Sequence, residues 1–177
     1  MTSKVVFYKG ARGKGKTLTM VKDGSKYFKN GWRILRNFNC RFGEYIKEEE
    51  ILNLSKDSEL YNCVIMIDEI QVFFDARQSL RKNHINFSNF IQQLRKRNII
   101  LLATSQYSNT VDLRFRQHVD IIAYPKYIKE IQVCVVTYID VTMIEDATLQ
   151  KIELPSVTIV FNARKVFPLY DTTEMIR

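Results

Sequence analysis

Cysteine is scarce in this chain of 177 residues: Cys40, Cys63 and Cys134 are odd in number and far apart. No C-x-x-C pair occurs, which argues against a disulfide framework or a zinc site; buried, reduced thiols are expected. Histidine is scarcer still. His84 and His118 have no acidic or cysteine partner at metal-ligand spacing and read as surface or packing residues. No apolar run approaches the roughly 20 residues of a membrane-spanning helix, so no transmembrane segment is expected. The N-terminus does not read as a secretion signal, because Lys9 and a run of glycines arrive where an apolar core would stand. Internal repeats, low-complexity tracts and linkers are missing too. One domain over 1–177 is expected, and 46% hydrophobic with 12% aromatic content excludes disorder.

Negative charge is in deficit. Against 27 Lys and Arg stand 19 Asp and Glu, for a formal net charge of +8. A polyanionic partner such as nucleic acid would suit that balance, although a solvated basic surface gives the same sum.

What is present begins with Gly10-Ala11-Arg12-Gly13-Lys14-Gly15-Lys16-Thr17, a complete G-x-x-x-x-G-K-[ST] phosphate-binding loop. It follows the apolar strand-like run Val5–Tyr8 and precedes a stretch with helical spacing, the context that gives the pattern a mechanism. Glycines let the backbone curl its N–H groups onto phosphate oxygens, and the helix that starts there adds its unpaired N–H groups and positive dipole end. Lys16 is expected to reach the β- and γ-phosphates of ATP, Leu18 to continue the nucleotide contact, and the Thr17 hydroxyl to bind Mg²⁺. Arg12 and Lys14 place extra positive charge beside the phosphates.

Helical positions Leu18, Val21, Ser25 and Phe28 share one face, with a stop at Asn30-Gly31. Strands are expected at 32–38, toward the sheet edge, at 63–67, 98–104 and 119–123. Lys47–Leu54 reads as a short surface helix whose three glutamates are a solvated face. A basic stretch, Arg77–His84, precedes a helix carrying Phe87, Phe90, Ile91 and Leu94 and ending in Arg95-Lys96-Arg97. Alternation over 130–138 and 156–163 predicts an antiparallel pair around the polar segment 140–154, and the tail from Val166 should pack back across the domain. The fold class is therefore α/β, with a mainly parallel central sheet flanked by helices and a C-terminal antiparallel β addition: core 1–128, addition and tail 129–177.

Ligands in such sheets sit at the carboxyl ends of the strands, where Gly10, Asp68, Glu69 and Gln106 all fall. Asp68 ends an apolar run and is expected to hold Mg²⁺. Glu69, pointing away from it in an extended segment, can act as general base on an attacking water; without the phosphate loop the pair would read equally well as a solvated turn. Gln106 can hydrogen-bond the γ-phosphate and that water, or simply the backbone at a strand end. Arg114 or Arg116 can reach a neighbouring subunit's γ-phosphate as an arginine finger, or form surface salt bridges. Tyr107 and Phe115 could stack on bases, but aromatics beside strand ends read more readily as core.

Tyr8–Thr17 with Leu18, Met20 and Val21 resembles the start of the zonular occludens toxin-like domain. So do Ile67-Asp68-Glu69-Ile70-Gln71 with Phe74 and Arg77, Leu102–Gln106, and Val111-Asp112 with Arg114 or Arg116. Phe161-Asn162-Ala163 and Tyr170-Asp171-Thr172 with Glu174 extend the likeness. That family lies in the FtsK–HerA group of P-loop ATPases, with viral genome-packaging motors and filamentous-phage assembly proteins. The resemblance implies a RecA-like (ASCE) sheet with the Gln106 strand between the loop strand and the Asp68 strand. It also implies ATP hydrolysis, a homo-oligomeric ring of five or six subunits, an arginine finger in trans and translocation of double-stranded DNA. Without the membrane span of phage assembly members, packaging of a viral genome fits best, with capsid or vertex proteins as partners in the host cytoplasm or virion. The alternatives are a phage-type export ATPase, a nucleotide-dependent assembly scaffold, and a small-molecule kinase. Arg77, Arg81, Lys82 and Arg95–Arg97 are DNA-contact candidates by charge.

Overall fold

Three apolar stretches, 4–9, 63–67 and 100–105, lie side by side because each is buried on both faces and must find covering on each. In the computed structural model, which describes residues 3–47, 60–71, 93–106, 115, 118–142 and 155–171, they form the middle of one eight-stranded sheet. The elements are β1 (Lys4–Lys9), α1 (Lys16–Lys29), β2 (Arg33–Arg36), β3 (Glu44–Tyr45), β4 (Cys63–Ile67), β5 (Ile100–Ser105), β6 (Ile121–Ile128), β7 (Val133–Asp140) and β8 (Ser156–Asn162). Their order across the sheet is β3-β2-β4-β5-β1-β6-β7-β8. From β3 to β6 every pairing is parallel, while β6–β7 and β7–β8 are antiparallel. The parallel sheet and its antiparallel addition are thus as the sequence predicts. So is the position of β5, between the strand that leads into the phosphate loop and the strand that leads into Asp68.

Two apolar layers cover the sheet. On one face α1 presses Leu18, Met20 and Val21 against Val6, Val64, Met66 and Leu102. Gly24 lets the helix come close there, since a Cβ on it would overlap the Met66 sulfur. On the other face Val5, Phe7, Ile65, Ile67 and Leu101 meet Leu94, Ile70 and Phe115. Phe115 is core, as expected, with its ring edge-on to Phe7 at 5.6 Å. All three cysteines are free and buried.

Several boundaries differ from expectation. Phe28, on the same helical face as Leu18 and Val21, is 48% exposed and stacks on Phe42 at 5.1 Å. The expected stop at Asn30-Gly31 is present, with Gly31 at φ +81°. β6 runs on to Ile128 instead of ending at Ala123, since pairing with β7 carries it through Tyr124-Pro125 at the cost of one ladder donor. β2 is second from the edge, beyond which the two-residue β3 was not legible. The Lys47–Leu54 helix (apart from Lys47), the Arg77–His84 stretch, Tyr107 and most of the Phe87–Leu94 helix lie outside the described residues.

As far as Asp171 the tail packs back as expected. After β8, two turns of 3-10 helix, Ala163–Lys165 and Phe167–Leu169, carry the chain to Tyr170. Val166 is buried, the Arg41 amide donates to the Leu169 carbonyl at 2.7 Å, and Tyr170 makes an isolated antiparallel bridge with Cys40.

Candidate functional site

β1 ends at Lys9, and the loop after it turns through Gly13 (φ +75°) and Gly15 (φ +89°) into α1. At Gly15 a side chain would be both crowded and strained: a Cβ would sit 3.2 Å from both Cys134 Sγ and the Tyr127 Cβ, in a left-handed conformation. The helix that starts there has no side-chain cap and no acidic residue in its first turn, so its N–H groups and dipole stay directed at the loop. Lys16 is buried and donates its ammonium to the Ala11 carbonyl at 3.2 Å. Burial lowers its pKa, against the pull of Glu69 and Asp68.

Asp68 follows β4, and its carboxylate meets α1 and β5 at once. Thr17 Oγ1 donates to Oδ1 at 2.9 Å, and Thr104 Oγ1 donates to the same oxygen at 2.5 Å. Its backbone is bracketed by buried Asn37, which accepts from the Asp68 amide at 2.8 Å and donates to the Asp68 carbonyl at 3.1 Å. Burial pushes the Asp68 carboxyl above the usual carboxylate range, while the Thr104 and Thr17 hydroxyls pull it down. A hydroxyl and a carboxylate in contact are the hard oxygen donors Mg²⁺ takes, with water and phosphate oxygens completing its shell. Thr17 and Asp68 therefore fit that ion.

Glu69 diverges from Asp68, though not by strand alternation. Its φ is +55°, so the chain turns left-handed there, an arrangement costing roughly 1–3 kcal/mol in a non-glycine residue. The Glu69 amide is held by Thr104 Oγ1 at 2.9 Å. Its carboxylate receives the side-chain amide of Gln106 on Oε1 at 2.9 Å and that of Gln71 on Oε2. Gln106 thus bonds the carboxylate, where the alternative was the strand-end backbone.

The loop, Asp68, Glu69 and Gln106 open into a single cleft of about 560 Å³. Arg12 lines it; Lys14 does not, and its carbonyl instead accepts from the Tyr127 amide at 3.1 Å.

Neither a protein-family model nor a curated protein matches the chain. Solved structures do. The N-terminal domain of zonular occludens toxin from Neisseria meningitidis superposes with TM-score 0.66 at 16% identity, over 97% of this chain and 100% of that one. The genome packaging NTPase B204 from Sulfolobus turreted icosahedral virus 2, in complex with ATP-gammaS, gives 0.54 at 15%, over 72% and 76%. The ATPase domain of a helicase gives 0.52 at 11%, over 90% and 81%. The fold is that of the RecA-like P-loop ATPases.

Within this P-loop fold the sequence-predicted residues divide. Residues 10–18, Asp68, Glu69 and Gln106 gather at the carboxyl ends of β1, β4 and β5. Arg114 and Arg116 lie outside the described residues, as do Arg77, Arg81 and Lys82. Arg95–Arg97 sit at the opposite end of the sheet, beside the starts of β1, β4 and β5. There Arg95 pairs with Asp120 at 3.2 Å and Arg97 lies over the Tyr61 ring. Four lining residues and one brace escaped the reading of motifs: Tyr127, Phe167, Tyr170 and Asp171 in the cleft, and Asn37 behind Asp68. Only Tyr170-Asp171 carried a signal, as part of the family resemblance. Gln71, likewise quoted there without a role, has its amide on Glu69 and its own Oε1 buried without a partner among the described residues. Among the described residues no helix is long and apolar enough to cross a membrane.

Proposed function

We propose that the chain hydrolyses ATP and uses it to translocate double-stranded DNA, as a motor that packages a viral genome. The observation that carries the hydrolytic part is Glu69: a carboxylate beside the Thr17–Asp68 pair, held by Gln106 on the neighbouring strand. In this reading Lys16 and the loop amides hold the β- and γ-phosphates. Thr17 and Asp68 hold Mg²⁺, which when bound neutralises phosphate charge. Glu69 accepts a proton from the attacking water, and Gln106 aligns that water with the γ-phosphate. Arg114 or Arg116 serves as a finger reaching the next subunit of a homo-oligomeric ring.

The packaging role rests on the likeness to B204 and on the net charge of +8. A second reading, a filamentous-phage-type assembly or export ATPase, is favoured by the fuller overlap with the zonular occludens toxin domain. ATP turnover measured with and without duplex DNA tests the motor reading. The expected result is turnover that rises on adding duplex DNA and falls on dilution below the assembly concentration. Binding without turnover would make the protein a scaffold, and label transfer to a nucleoside would make it a kinase.

A further inference from the structure

The cleft is lined by two chemically different sets of groups. One is basic and amide-rich, formed by the phosphate loop and Lys16. The other is formed by Tyr127, Phe167, Tyr170 and Asp171, which offer aromatic surface and a carboxylate. A flat, uncharged heterocycle would be matched by the rings.

This aromatic set is built rather than loose. Tyr127 is tied to the phosphate loop by its amide on the Lys14 carbonyl at 3.1 Å, and its Cβ lies against Gly15. Its hydroxyl donates to Gln132 Oε1 at 2.9 Å, which fixes the ring. Phe167 meets that ring edge-on, with centroids 5.6 Å apart and planes at 87°. The segment bearing Phe167, Tyr170 and Asp171 is anchored at both ends. On one side the Ala163 amide bonds the Gln132 carbonyl at 2.8 Å and Val166 enters the core. On the other, the Arg41 amide bonds the Leu169 carbonyl at 2.7 Å and the Asp171 amide bonds the Asn39 carbonyl at 3.2 Å. Aromatic faces held in advance bind a planar ring without the entropy cost of ordering them.

We propose that Tyr127 and the strap Phe167–Asp171 are the nucleobase end of the site, holding the base by stacking while the loop holds the phosphates. The inference rests on the nucleotide-binding reading of the phosphate loop and extends it to residues outside every phosphate-binding motif. The tail of the chain then forms part of the ligand site as well as covering the core.

The test compares ATP with inorganic tripolyphosphate, which carries the phosphates and no base, by calorimetric titration of the full chain. Phe167→Leu keeps apolar bulk and removes the aromatic face; Tyr127→Leu does the same on the other wall; thermal melts confirm that each is folded. Wild type should bind ATP more tightly than tripolyphosphate. Each variant should lose roughly 10- to 100-fold in ATP affinity, the range of aromatic–base stacking, with tripolyphosphate affinity held within about twofold. Equal losses for both ligands, or no loss for either, would overturn the strap as a base site. Wild type binding tripolyphosphate as tightly as ATP would overturn it too, while leaving the phosphate loop intact. Binding of neither ligand would instead bring down the nucleotide reading itself, and the strap proposal with it.

Discussion

Thr104 donates its hydroxyl to Asp68 Oδ1 across the β4–β5 boundary at 2.5 Å, and its own Oγ1 accepts the Glu69 amide at 2.9 Å. One buried hydroxyl on the middle strand therefore orients both carboxylates: the side chain of one and the backbone of the other. Thr104→Val keeps the shape and removes the donor and acceptor. ATP turnover should fall about 10- to 100-fold, the usual cost of losing a group that orients a metal ligand, and the Mg²⁺ needed for half-activity should rise. Thr104→Ser should restore most of both. A Mg²⁺ titration of turnover is the check, and an unchanged profile in Thr104→Val would remove Thr104 from the site.

Asn37 braces Asp68 from the other side through two bonds to its backbone. Asn37→Leu leaves the part-buried Asp68 amide and carbonyl without their Asn37 partner, which should cost about 1–3 kcal/mol each where water cannot replace it. Urea unfolding should show the midpoint drop, and turnover should fall with it. A variant as stable as wild type would mean that water satisfies both groups.

Gly15 occupies a left-handed turn pressed between Cys134 and Tyr127. Gly15→Ala should abolish nucleotide binding and lower stability by about 1–3 kcal/mol through backbone strain and crowding. Reducing the bulk beneath it, as in Cys134→Ala, should recover part of the crowding cost and none of the strain. Calorimetry for binding and thermal melts for stability separate the two effects.

Asp23 on α1 accepts from two phenols on one oxygen: Tyr8 at 2.8 Å and Tyr138 at 2.7 Å. Burial first, and the Asp23 charge second, raise both phenols above the ordinary tyrosine range. An unfolded tyrosine ionises near pH ~10. Below that both states keep the proton and nothing is lost. Above it the unfolded chain releases protons that the folded chain retains, so stability falls with rising pH by about 1.4 kcal/mol per unit for each phenol. Urea midpoints should drop steeply from about pH 10 upward, and Tyr138→Phe should make the slope shallower. A flat alkaline profile would contradict the burial of these groups.

How much of this was legible in the sequence depends on range. The phosphate loop is a local device, its eight residues fixing backbone and chemistry together, so residues 10–17 could be read directly. β4 and β5 were legible because strands buried on both faces are continuous apolar runs, and their ends announced Asp68, Glu69 and Gln106. The orientation of Glu69 was reached for the wrong reason: strand alternation predicts divergence from Asp68, whereas a left-handed turn supplies it. Asn37 was illegible, since its role comes from β2 lying beside β4, a pairing between distant segments. Tyr127, Phe167 and Asp171 reach the cleft only because the antiparallel addition brings the tail back to residues 39–41. No periodicity encodes that return.

In the proposed reaction Glu69 is the carboxylate that activates water beside bound ATP. Glu69→Gln keeps the size of the side chain and removes its basicity, so single-turnover hydrolysis can be set beside ATP affinity in the same variant. The result expected is ATP affinity within a few-fold of wild type with hydrolysis reduced at least about 100-fold, the scale of a lost general base. Hydrolysis at the wild-type rate in that variant would contradict the account.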